Sequence, residues 1–296
     1  MKNFAFYSVL VILALGLLIG WRKWVVDIQE SASGNQDEGM RIISVSPNIT
    51  EILFALDLGD NVVGVTDFCN YPQEALEKQS IGTIMDPDLE MILSLKATDV
   101  FVTNTSFHIT LGERLRDMGM TVHVLDVDKM DGISESIIAI GEVADCVEKS
   151  RALNTKIKTG LDEIKARADH FEVKPKVLIV IQPEPIIAAG KNTYIDEILT
   201  LAGGENVIVD TDRMYPMINA EALIELDPDV IVETVVGVQP ERNDIALSHY
   251  KWDISAVKNK NVFVIGADKL SRPGPRVVEA ASQMQEIVAM MQGDNP

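Results

Sequence analysis

Cysteine, histidine, aromatic side chains and positive charge are all scarce in this 296-residue chain. There are two cysteines, Cys69 and Cys146, so the disulfide framework of a small secreted fold is excluded. Cys69 lies in a loop-like run, Asp67-Phe68-Cys69-Asn70-Tyr71-Pro72, and Cys146 on a helical pattern, and both read as free thiols. His108, His123, His170 and His249 stand singly, without a cysteine or carboxylate at ligand spacing, so no transition-metal site is expected. Lys and Arg number 26 against 45 Asp and Glu, a net charge of -19 that repels a phosphate backbone and argues against nucleic acid as a partner. Catalytic signatures are lacking too. There is no Gly-x-Ser-x-Gly elbow. Gly190-Lys191 lacks the glycine and hydroxyl arrangement of a phosphate cradle, and Ser255-Ala256-Val257-Lys258 fits Ser-x-x-Lys without the partner motifs of acyl transfer. A binding module is expected rather than an enzyme, with no resident cofactor.

What the chain does have is apolar content, 47%, enough for real cores in about two domains at roughly 100 to 200 residues each. Residues 4–20 form an almost unbroken apolar run after Lys2, followed by Trp21, Arg22, Lys23 and Trp24 as at a membrane interface. Residues 1–26 therefore read as a signal peptide or an N-terminal membrane anchor, which places the body in the periplasm or another extracytoplasmic space, tethered by 4–20 if uncleaved. Residues 27–40 are polar and read as a flexible tether.

From Arg41 onward, short apolar runs alternate with helical periods. Strands are expected at 41–45, 62–65, 100–102 and 122–125, with helices at 50–56, 89–95 and 111–118 between or beside them. The scheme recurs with strands at 176–181, 230–232 and 262–265 and helices at 194–201 and 275–291. Buried-type strands separated by helices imply parallel β-α-β units, so the fold class is α/β, with an N-terminal lobe over 41–130 and a C-terminal lobe over 172–292. The sequence itself repeats: Glu51-Ile52-Leu53 before Gly59-Asp60-Asn61-Val62 resembles Glu197-Ile198-Leu199 before Gly204-Glu205-Asn206-Val207. Residues 89–95 likewise resemble 220–226, each run preceding a strand. Between the lobes, residues 131–171 carry apolar residues at three- and four-residue steps and read as a bridging helix. Two shorter helices broken near Gly141 or Gly160 are the alternative.

Loops at strand ends are where an open α/β sheet binds ligand. In the first lobe these hold Ser46-Pro47-Asn48, residues 67–72 and residues 82–87, and in the second residues 182–187, 212–216 and 268–276. Phe68, Tyr71 and Tyr215 supply flat apolar surface there, and Asp268 and Arg272 a hydrogen-bonding pair. Arg276, at a first helical turn, reads as structural.

The runs Ser46-Pro47-Asn48-Ile49-Thr50-Glu51-Ile52-Leu53 and Gly64-Val65-Thr66-Asp67-Phe68-Cys69-Asn70-Tyr71-Pro72, the 89–95 helix, and Ser271-Arg272-Pro273-Gly274-Pro275-Arg276 together resemble the substrate-binding proteins of ABC importers for cobalamin, ferric siderophores and haem, most of all the cobalamin-binding branch. The resemblance spans about residues 41–292. It implies two Rossmann-like lobes with parallel sheets joined by a single long bridging helix, a monomer that carries a corrinoid or related metal chelate to an ABC permease and its ATPase. Carried over by position, ligand contacts fall on Asn48, Phe68, Ile84, Ile187, Tyr215, Asp268 and Arg272, and permease-docking carboxylates on Glu90 and Glu221. Ile84 and Ile187 depart from the aromatics that cobalamin binders often present, which leaves a haem or ferric siderophore open as ligand. A membrane-anchored sensory or interaction protein on the same fold is the alternative of another class.

Overall fold

A computed structural model describes residues 39–209, 211–235, 241–242 and 248–293. The apolar run at 4–20 and the tether up to residue 38 lie outside the described residues. Among the described residues, no helix is long and apolar enough to cross a membrane.

The first sheet holds β1 (Ile42–Ser44), β2 (Val62–Val65), β3 (Gln79–Ser80), β4 (Asp99–Thr103) and β5 (Thr121–Leu125) in the order β3-β2-β1-β4-β5. Every pairing in it is parallel. Ile42, Ile43, Val100, Phe101 and Val102 are fully buried, the continuous apolar runs that a sheet covered on both faces requires. Helices α1 (Pro47–Ala55), α2 (Leu89–Ser94) and α3 (Ser106–Asp117) return the chain between strands. Proline at the first position of α1 presets its φ where the missing N–H costs nothing. Gly64 in β2 is required by proximity, since a Cβ there would lie 2.7 Å from Leu95 Cδ1 and 2.9 Å from Ile81 Cγ2.

The second sheet holds β6 (Lys176–Pro183), β7 (Ile186–Ala188), β8 (Glu205–Asn206), β9 (Val230–Val235), β10 (Glu241–Arg242) and β11 (Val262–Gly266), in the order β10-β11-β9-β6-β7 with β8 also on β6. Its centre is parallel, as expected, but both edges, β7 and β10, run antiparallel. The β6–β7 reversal falls at Glu184-Pro185, where the apolar run is too short for a crossover and the chain turns back on itself. Helices α6 (Tyr194–Leu201), α7 (Ala220–Leu226), α8 (Ser255–Lys258), α9 (Ala267–Leu270) and α10 (Val277–Ala289) accompany it. In α8 the Ser255 hydroxyl donates to Asp227 and Lys258 pairs with Asp253, so the Ser-x-x-Lys spacing does not form a working pair.

The connector is α4 (Met130–Val143) followed by α5 (Val147–Ala168), with the break near Gly141 rather than Gly160. Asp145 takes the left-handed backbone there, φ 52°. Gly141 permits the tight return, since a Cβ would stand 2.3 Å from Ser150 Oγ. The 22 residues of α5 span about 33 Å at ~1.5 Å per residue. This is the long bridging helix. Its first half is held to the first lobe by Lys149 on Asp57 (3.0 Å) and to α4 by Asn154 donating to the carbonyl of Ser134 (2.9 Å). Its second half is held to the second lobe by Gly160 against Val278, Arg167 donating to Gln285 (2.8 Å), and Gln285 donating to the Ile164 carbonyl (2.6 Å).

Candidate functional site

The carboxyl ends of β1 and β2 deliver two loops that are stiffened from beneath. The Ser46 hydroxyl donates to Asn48 Oδ1 (2.5 Å), and the Thr50 hydroxyl donates to Cys69 Sγ (3.1 Å) while Thr66 Oγ1 lies 3.2 Å from the same sulfur. Burial pushes the Cys69 thiol up despite these two hydroxyls and the nearby Arg272 charge, so it serves here as a neutral packing group. Both cysteines are free thiols.

From the second lobe, α9 and the turn after it bring Asp268, Arg272, Pro273 and Arg276 against these loops. Asn48 donates to the Pro273 carbonyl (3.3 Å), and Asn70 donates to Asp268 Oδ2 (3.3 Å). Arg272 is surrounded: its guanidinium donates to Asn70 Oδ1 (2.7 Å), the Phe68 carbonyl (3.1 Å) and Glu51 (3.4 Å), and pairs with Asp268 at 2.6 Å. Asn48, Phe68, Asp268 and Arg272 thus meet in one cross-lobe cluster. Phe68 keeps 54% of its surface exposed, an apolar plate beside a polar cluster.

Ile187 and Tyr215 form a second group. The runs 186–188 and 216–218 are tied by Ala188 N–H on the Pro216 carbonyl and Ile218 N–H on the Ile186 carbonyl, which sets Tyr215 beside β7. The enclosing protein, and then the negative charge of Asp128 from the first lobe, push the Tyr215 phenol up to about 12. Asp128 and Asp126, after β5, both accept from the Asn104 amide at 3.0 Å. Ile84 belongs to a separate turn, closed by the Gly82–Pro87 bridge and abutting His108, whose pKa is lowered chiefly by burial.

Glu90 and Glu221 occupy matching places. Each is exposed and is the second residue of its helix, α2 or α7, after a side-chain cap, Asp88 accepting from Met91 N–H and Asn219 from Ala222 N–H. Sequence reasoning missed the centre of the cross-lobe cluster. Glu51, 3% exposed, accepts from both Arg276 Nε (2.8 Å) and Nη2 (2.5 Å), and Arg276 stacks 4.1 Å from the Tyr71 ring centroid. The available signals were the repeat, which aligns Glu51 with Glu197, and the runs 46–53 and 271–276, which contain Glu51 and Arg276. A cavity of about 1310 Å³ opens on the α5 side of this pair, lined by Glu51, Phe54, Tyr71, Ile157 and Arg276 and not by Phe68, Asp268 or Arg272.

Two lobes on largely parallel sheets, one long helix fastened to both, and side chains of both lobes meeting at the strand ends define a two-lobed solute-binding protein. The chain belongs to the periplasmic binding protein family, whose model matches residues 42–269. It is 32% identical over 270 residues to the uncharacterized ABC transporter substrate-binding lipoprotein YvrC of Bacillus subtilis, covering 86% of this chain and 83% of that one. Among solved structures it is similar to the periplasmic vitamin B12 binding protein BtuF of Vibrio cholerae, with a TM-score of 0.75 and 25% identity over 86% of this chain and 98% of that one. It is also similar to IsdE of S. aureus, solved with heme, with a TM-score of 0.70 and 26% identity over 85% and 98% of the two chains.

Proposed function

We propose that this protein captures a corrinoid, or a closely related neutral metal chelate, in the cleft between its lobes and delivers it to an ABC permease and ATPase. The observation that carries the reading is the cross-lobe cluster: Asn48, Phe68, Asp268 and Arg272 converge from both lobes at strand carboxyl ends, where an exposed aromatic face stands beside hydrogen-bonding groups. Ile187, Tyr215 and Ile84 complete the contact set in this reading. The charge of the cleft favours a ligand with neutral amide arms. Asp126, Asp128, Asp131, Glu135 and Asp212 outnumber Lys129 and Lys191 around one pocket, and Arg272 spends its donors on protein acceptors, an unfavourable setting for the two carboxylates of a haem or for an anionic siderophore. Glu90 and Glu221 are the docking carboxylates in this scheme, one per lobe, and the protein works as a monomer.

Absorbance titration with cyanocobalamin, cobinamide, haemin and a ferric hydroxamate tests this directly. Saturable binding of the corrinoids with weaker or absent binding of haemin is the expected outcome. Binding of none of the four would refute the metal-chelate reading, and preference for haemin would refute the charge argument.

A further inference from the structure

Glu51 lies on α1 of the first lobe, yet its carboxylate has its charged partners in the second: Arg276 by two hydrogen bonds and Arg272 by a third at 3.4 Å. The carboxylate side chain is 2% exposed and the two arginines 12% and 11%. Glu197, its counterpart in the sequence repeat, also reaches out of its own lobe, accepting the Met130 N–H at the start of α4 (2.9 Å). The repeat therefore places an inter-lobe acceptor on the equivalent helix of each half. The two differ in strength: Glu51 meets two full positive charges in a desolvated setting, and Glu197 meets a neutral amide.

We propose that Glu51 is a positioning residue of the cleft, a latch that fixes Arg272 and Arg276 and so sets both the spacing of the lobes and the direction of the Arg272 fork before any ligand arrives. The assignment rests on the ligand cleft proposed above only for its consequence in binding; the latch itself is a property of the unliganded chain. Removing the Glu51 charge takes two hydrogen bonds from Arg276 and one from Arg272, and with them the contacts that hold these second-lobe side chains against α1. Arg272 would keep Asp268 in its own lobe and Asn70 and the Phe68 carbonyl in the first, so the contact released is the one between α1 and Arg276.

Acid should open the latch. Burial raises the Glu51 carboxyl above its ordinary 4.5, outweighing the pull of Arg276 and then Arg272. Burial also works against the charge on Arg276, but there the hydrogen bond and charge of Glu51 win and its pKa rises. The groups facing the latch are Arg272, Arg276, Asp268 on α9, Glu279 on α10, Tyr71 beneath Arg276, and the neutral Cys69; none of these is a histidine. Because the folded chain holds the Glu51 proton more tightly than the unfolded chain, this group alone adds stability as pH falls through the raised pKa, so the lobes can loosen without unfolding.

The test is a distance between lobes. Spin labels at Glu113→Cys and Asn259→Cys, both exposed positions, in a Cys146→Ser chain would be read by pulsed dipolar spectroscopy without ligand. At about pH 7 a narrow distribution is expected, broadening severalfold in Glu51→Gln; between about pH 7 and pH 4 the parent should broaden and Glu51→Gln should not change further. An unaltered distribution in Glu51→Gln, or an equal acid response in both chains, would overturn the latch. Should Glu51→Gln fold poorly, Arg276→Gln, which removes the other side of the same pair, decides in its place, and an unaltered distribution there overturns the latch. In a second arm, cyanocobalamin affinity is expected to fall about tenfold in Glu51→Gln, and an unchanged affinity would overturn the positioning role. Failure of the parent itself to bind cyanocobalamin would count against the ligand reading, and the distance arm would still decide the latch.

Discussion

Gly160 sits at the crossing of α5 with α10, and replacing it with alanine opposes two effects of known size. As a mid-helix residue it costs roughly 1 kcal/mol relative to alanine, so propensity alone predicts stabilisation by about that amount. The crossing predicts the opposite. A Cβ at Gly160 would lie 2.7 Å from Val278 Cγ1 and 3.2 Å from Cγ2, and a β-branched valine in a helix has little rotamer freedom with which to withdraw. Relief must come from shifting α5 against α10, and overpacking of this kind costs about 1 to 3 kcal/mol. Both helices are pinned close by, through Arg167 and Gln285, so the upper part of that range applies and the net expectation is a loss of about 1 kcal/mol, or roughly 2 to 4 °C in Tm. Urea and thermal melts of Gly160→Ala, Val278→Ala and the double variant form a cycle. Val278→Ala removes the clashing methyls, so the double variant should be less destabilised than the sum by about 1 kcal/mol. A Gly160→Ala chain more stable than the parent, with additive behaviour in the cycle, would refute the close-crossing account.

Glu90→Ala with Glu221→Ala is expected to leave corrinoid affinity unchanged while abolishing stimulation of the reconstituted permease and ATPase; unchanged transport would remove the docking assignment. With a thiol reagent, the native chain should label at Cys146, slowly because burial raises its pKa, and Cys69 only after denaturation, which mass spectrometry of the labelled peptides would show. The buried Thr193 caps α6 by accepting the Asp196 N–H (3.2 Å) and donates to the Gly190 carbonyl (2.9 Å), so Thr193→Ala should cost about 1 to 2 kcal/mol in urea unfolding, whereas Thr193→Ser should cost less.

The two sheets were legible in the sequence because parallel strands covered on both faces must be apolar at nearly every position, as 100–102 and 177–180 are. The antiparallel edges were not, since β7 and β10 are too short for periodicity to register. Gly141 and Gly160 illustrate the same limit in the connector: both weaken a helix by propensity, yet only the first stands near a break, because Ser150 packs against it on the return while Gly160 fills a tight crossing inside an intact helix. At the site, the family motifs pointed to Asn48, Phe68, Asp268 and Arg272, which the fold does gather. Glu51 escaped notice because a glutamate between Thr50 and Ile52 looks like any helix carboxylate. Its importance depends on Arg272 and Arg276, more than 200 positions away, coming back against it.

The sheet edges bear on how such a chain stays dispersed at high concentration. An open strand edge is a template for pairing with another molecule, and the described residues form four such edges. β3 offers only two residues, and β7 is already occupied on its outer side by the 216–218 run. Another, β5, is five residues long, and Arg116 donates to its Val122 carbonyl (3.0 Å), placing a charged side chain on the strand a neighbour would have to displace. Sheet extension is thus obstructed at β5 and β7 among the described residues, and Arg116→Ala is the substitution that would leave the five-residue β5 open.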